Sequence, residues 1–161
     1  MTDANIKALR VPRDLLLDFF VVFSRFEYAL KAANFRKDPP AAADVSWDKF
    51  RNWLDQLPPK ELAPVLQAGR YLIDDPPKRL VVSGDTPSWV TPVRNGQSEV
   101  RFLVEGLARA RNNLFHGSKW LTAPERANRN EQVISTAVAV LKALLDLPSA
   151  YGLRREFEEL P

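Results

Sequence analysis

The chain has 161 residues, of which 45% are hydrophobic and 27% charged, a balance that excludes a disordered polyelectrolyte and fits one globular domain over residues 1–161. It has no cysteine and a single histidine, which excludes disulfides and cysteine-based metal centres and argues against a protein-built zinc or iron site, so no metal or cofactor is expected. A net charge of +3 and a pI near 9.3 suit an RNA partner without demanding one.

The first ten residues carry no apolar signal core behind a basic start, and a cytoplasmic protein is expected. From Pro12 to Phe35 the pattern predicts a long helix, with Pro12 suited to a first turn and Asp14 placed where the helix dipole favours an anion. Leu15 to Phe23 is apolar nearly all round, broken only by Asp18. That run is far short of the roughly 20 residues a membrane span needs. A helix so apolar must lie centrally in a bundle or be covered on one side by a second subunit. Ser24, Glu27, Lys31 and Asn34 make a polar line along it. Its plainest reading is a solvated face with a Glu27–Lys31 pair contributing about 0.2–0.5 kcal/mol.

Residues 36–45 form a proline-broken link, and Ser46 then has the position of an N-cap for a helix over 47–57. Trp47, Phe50, Leu54 and Leu57 fall on one stripe flanked by Trp53. Core packing is the ordinary role of such a stripe, and stacking on RNA bases is the alternative. Pro58-Pro59 ends this helix, and Glu61 to Asp74 predicts another, broken or restarted at Pro64. Residues 76–97 are the least regular, with Ser83-Gly84-Asp85 between two β-branched runs suggesting a small hairpin that its prolines make marginal. Lys78, Arg79 and Arg94 there are solvated loop charges or contacts to a polyanion.

Ser98 to His116 predicts a helix with Val100, Leu103, Val104, Leu107, Ala110 and Leu114 on its core face. Arg111 falls inside the same arc, so its guanidinium must reach a partner, an interface or a cleft. His116 lies about 140° round an ideal helix from Arg111. Either Gly117 unwinds the last turn or two subunits complete the site. Thr122-x-x-Glu125 reads as a capping box for a helix to about Leu147. Arg126 and Arg129 lie in its first turns, where cations oppose the dipole and hint at phosphate binding. A short amphipathic helix over 150–160 follows Pro148. The whole reads as an all-α bundle of five or six helices with an irregular insert at 76–97.

The chemistry concentrates in Arg109-Ala-Arg111-Asn112-Asn113-Leu-Phe-His116-Gly-Ser-Lys119. An imidazole titrates nearest neutral pH, and a guanidinium is a permanent planar cation matched to phosphate oxygens. Arg111-Asn112 followed after three residues by His116 resembles the R-x4-6-H signature of the HEPN family, small all-helical domains that include metal-independent endoribonucleases of toxin–antitoxin, phage-defence and CRISPR-associated systems. Glu27-x3-Lys31 resembles an E-x3-K element of several HEPN subfamilies. Ser118 stands where HEPN toxins silenced by nucleotidyltransferase partners usually carry tyrosine. The resemblance implies RNA cleavage by 2′-hydroxyl attack on the adjacent phosphate, with His116 moving protons, Arg111 neutralising phosphorane charge and Asn112 orienting the imidazole or a phosphate oxygen. Further RNA contacts would fall to Arg109, Asn113, Lys119, Glu27, Lys31, Arg126 and Arg129. It also implies a homodimer with a composite site and an antitoxin or defence-system partner. The rival expectation is a non-catalytic HEPN-like module binding RNA, nucleotide or protein.

Overall fold

The computed structural model describes residues 10–38, 44–115 and 128–159. Among them are seven α-helices, α1 (Arg13–Ala32), α2 (Trp47–Leu54), α3 (Pro59–Ala68), α4 (Arg70–Asp74), α5 (Glu99–Phe115), α6 (Arg129–Leu145) and α7 (Tyr151–Glu158), with a two-stranded hairpin between α4 and α5. The mostly helical architecture expected from the sequence is present, with one more helix than expected.

The extra helix comes from a joint at Gly69, not at Pro64. Pro64 sits inside α3, which continues through it to Ala68. At Gly69 a Cβ would collide with Cδ1 and Cδ2 of Leu103, a fully buried residue of α5. The side-chain-free residue lets the two backbones approach, and the chain restarts there as α4.

The core is built from one face of each long helix. α1 contributes Phe19, Phe23, Phe26, Ala29 and Leu30, and α6 contributes Val133, Ile134, Ala137, Val140, Leu141 and Leu144. α1 packs most extensively against α6 and α7, while α5 is covered by α2, α3 and α4. Phe50 of α2 is fully buried and meets Phe26 edge-on at 5.8 Å, Phe35 at 5.3 Å and Trp53 in a stack at 5.7 Å. The tryptophan stripe of α2 therefore serves packing, each such ring contributing roughly 1.5–3 kcal/mol by burial.

Polar contacts fix the helix ends. Ser46 caps α2 by accepting from the Lys49 amide at 3.4 Å. Asp55, just past α2, accepts from the Ser98 hydroxyl at 2.6 Å and pairs with Arg101 at 2.9 Å, which locks α2 to the start of α5. Arg25 of α1 donates from Nε to the Phe157 carbonyl at 3.0 Å and lies over the Phe157 ring, tying α1 to α7.

β1 (Arg79–Ser83) and β2 (Thr86–Val90) pair antiparallel with Ser83 opposite Thr86. Gly84 takes φ +59° at the first central turn position, as a type II′ hairpin requires. Pro87 is tolerated because alternation outward from the turn puts the Val82–Pro87 pair at a non-hydrogen-bonded rung, where the missing N–H would face outward.

Candidate functional site

Arg111 is brought to a place where its charge can be held. From the last turns of α5 it reaches across to α1, a segment 84 positions earlier, where Glu27 accepts from Nη2 at 3.4 Å. Its guanidinium lies 5.9 Å from the centroid of the Phe23 ring, and Nη1 donates to the Asn112 side-chain oxygen at 3.1 Å. The sequence demanded a partner for a cation on a core stripe. Glu27 is that partner, and its carboxylate points across the helix–helix gap to Arg111.

Phe20, Phe23, Ser24, Glu27 and Arg111 together line an open cavity of about 260 Å³. Arg111 keeps 35% of its side-chain surface in solvent and Glu27 24%. At that exposure the ion pair contributes at most about 1 kcal/mol, so an incoming anion competes for Arg111 on comparable terms. Ser24 satisfies its hydroxyl on the Phe20 and Val21 carbonyls of its own helix. Asn112 is exposed beside the guanidinium. The rim of α1 next to the cavity is apolar and open: Leu17 is 60%, Phe20 50% and Val21 45% exposed. The arrangement offers a cation at the opening with an amide beside it, and an oxyanion gripped there must displace the Glu27 carboxylate from Arg111. Among the described residues no group of three His, Cys, Asp or Glu side chains is placed to hold a metal ion.

His116, the proton-transfer candidate, lies outside the described residues, as do Lys119 and Arg126. Lys31 is half-buried on α1, one turn beyond Glu27. The remaining residues named from the sequence are distributed elsewhere. Asn113 is buried and donates to the Lys78 carbonyl at 3.0 Å, so its amide anchors the entry to the hairpin. Arg129 is 5% exposed; its Nε pairs with Asp75 at 3.1 Å, and Nη2 donates to the Pro76 carbonyl at 3.0 Å. This guanidinium clasps the end of α4 to the start of α6, and its position explains a cation at a helix N-terminus without a phosphate.

Arg109 points away from Arg111, as two residues of helix rotation require. It packs 5.7 Å from the Phe102 ring centroid and approaches Glu105 at 3.7 Å. Burial pushes its pKa below the ordinary arginine value against the pull of Glu105, yet a guanidinium keeps its proton.

The sequence missed Phe20 and Phe23 as walls of the cavity and Asp75 as the partner of Arg129. No local signal marks either, because both arise from helices that meet only in the folded chain. No family model matches the chain, and neither a curated protein nor a solved structure matches it.

Proposed function

We propose that the protein is a metal-independent endoribonuclease of the HEPN type, acting in a toxin–antitoxin, phage-defence or related stress system. The observation that supports this best is the setting of Arg111. It is held by Glu27 and Phe23 at an open cavity, with Asn112 beside it, five residues ahead of the only histidine. Attack of the 2′-hydroxyl on the adjacent phosphate needs a proton acceptor, a proton donor and neutralisation of the phosphorane, and no metal. His116 supplies proton transfer and Arg111 supplies charge at the non-bridging oxygens. The products are a 2′,3′-cyclic phosphate and a 5′-hydroxyl end. Purified protein is expected to cleave single-stranded or tRNA-like RNA in EDTA, and His116→Ala is expected to abolish cleavage with the fold retained by circular dichroism. Cleavage that survives this substitution removes His116 from the reaction. Binding of RNA with no cleavage in the wild type favours the non-catalytic module.

In this reading the active species is a homodimer. Phe20, a wall of the Arg111 cavity, is exposed together with Leu17 and Val21 of α1, so a second copy seated there would cover apolar surface and bring two sites together. Light scattering at micromolar concentration is expected to give a mass near twice 18.3 kDa. A monomer that cleaves RNA defeats the composite site.

A further inference from the structure

A second cavity, of about 390 Å³, lies on the opposite side of α5, between that helix and the segment leaving β2. Its size is within the range of small-molecule sites. Two kinds of surface meet in it. Arg79, Arg94 and Arg109 face one carboxylate, that of Glu105, while Val90, Pro92 and Val93 supply an apolar wall. Glu105 is itself divided among Arg51 at 3.5 Å, Arg109 at 3.7 Å and the Gln97 amide at 3.3 Å. Arg94 is partly engaged by Glu99 at 3.3 Å, a carboxylate it shares with Arg70. Arg79 is exposed, and no carboxylate among the described residues pairs with it.

The decisive group is Arg109. Its Nε and Nη2 are shut off from solvent and have no hydrogen-bond acceptor among the described residues. These two nitrogens form one bidentate edge of the guanidinium, the edge that matches two oxygens of an oxyanion. Buried donors left unbonded carry a desolvation cost, larger when they are charged. A group that supplies the missing acceptors is therefore favoured in advance. The cavity lining carries an excess of two positive charges. That matches a phosphate monoester, with charge of about −1.5 to −2 at neutral pH, better than a carboxylate.

We propose that this cavity binds a small phosphate monoester, its oxygens gripped by Arg79 and Arg109 and its organic body lying on Val90, Pro92 and Val93. Binding requires the Arg109 side chain to turn about its Phe102 contact, because the Nε–Nη2 edge is closed to solvent and does not face the cavity in this structure. The site is independent of the ribonuclease reading, since Arg109 and Arg111 serve different faces of α5.

Calorimetric titration at neutral pH with phenyl phosphate, inorganic phosphate and benzoate tests it. Phenyl phosphate is expected to bind saturably, inorganic phosphate more weakly for want of the apolar wall, and benzoate most weakly. Arg79→Glu, at an exposed position, and Arg109→Met are each expected to weaken phenyl phosphate by about tenfold or more, the equivalent of one charge-assisted bond. The Arg79-dependent binding is expected to persist in Arg111→Met, which separates this site from the α1 cavity. Acidification through the second phosphate ionisation near pH 6 is expected to weaken binding. The proposal is overturned by the absence of saturable binding up to about 10 mM phenyl phosphate, by unchanged binding in Arg79→Glu, by loss of binding in Arg111→Met, or by benzoate binding as well as phenyl phosphate.

Discussion

Arg111→Met is expected to leave the melting temperature nearly unchanged while lowering RNA cleavage by about a hundred- to a thousand-fold, the loss of one positioned donor to a transition-state oxyanion. The two halves of this result come from different surroundings of the same side chain. Its attachments include a part-exposed pair with Glu27, a ring contact to Phe23 and a bond to its neighbour Asn112, each of them weak. A methionine keeps the contact with the Phe23 ring, and Glu27, open to water at 24%, resolvates when its partner goes. The stability change is therefore held to about 1 kcal/mol. Arg111→Lys is expected to restore only part of the rate, because an ammonium has no planar fork for two oxygens. Stability and turnover measured on the same Met variant decide the matter. A variant that unfolds makes Arg111 a structural anchor. One that is stable and fully active removes it from the reaction.

The opposite balance holds at Asp75. Asp75→Ala is expected to destabilise the protein by about 3–5 kcal/mol, the usual consequence of stranding a buried charge, and to lower the melting temperature by roughly 6–15 °C. Arg129 is buried against it, with its Nε on the Asp75 carboxylate, and the Tyr71 hydroxyl donates to the same carboxylate at 3.2 Å. Arg129→Met is expected to cost much less, because the carboxylate left behind is 30% exposed and water can take over its bonds. Thermal denaturation of both variants checks the asymmetry. Equal small effects would free Arg129 from the scaffold and return it to the list of RNA contacts.

These two arginines also mark how far the sequence could be read. Helical periodicity placed α1, α2 and α5 closely, because each carries a continuous apolar face, and α2 a recognisable start at Ser46. The apolar face of α6 was legible too, but the helix begins at Arg129 behind Asn128 and not at the expected Thr122 capping box, which lies outside the described residues. Periodicity also gave Arg111 a cation's need for a partner. The identity of that partner was out of reach: Glu27 looked equally able to pair with Lys31 on its own helix, and only the packing of α1 on α5 decides. Arg129 was misleading for the same reason. A cation opening a helix looks wasteful until Asp75, from the far end of α4, is brought against it. Pro64 was the natural place for a break, but the break is set at Gly69 by how closely Leu103 approaches, a tertiary fact with no local pattern. The hairpin was legible only in outline, from Ser83-Gly84-Asp85 between two β-branched runs with prolines that made it marginal; the positive φ of Gly84 is what its turn demands. His116, on which the proposed reaction turns, lies outside the described residues.

The placement of α1 has a consequence for biosynthesis. α1, with its buried Phe19, Phe23, Phe26 and Leu30, packs most extensively against α6 and α7, elements that begin only at Arg129 and Tyr151. A ribosome adding roughly 5–20 residues per second leaves this phenylalanine-rich segment without its main packing partners for several seconds after it emerges. During that interval it is an exposed sticky helix, the kind of surface that chaperones cover and that nascent chains use to associate wrongly. Truncation within residues 129–158 would prolong that state indefinitely, so nonsense variants there should partition into inclusion bodies and not persist as soluble fragments.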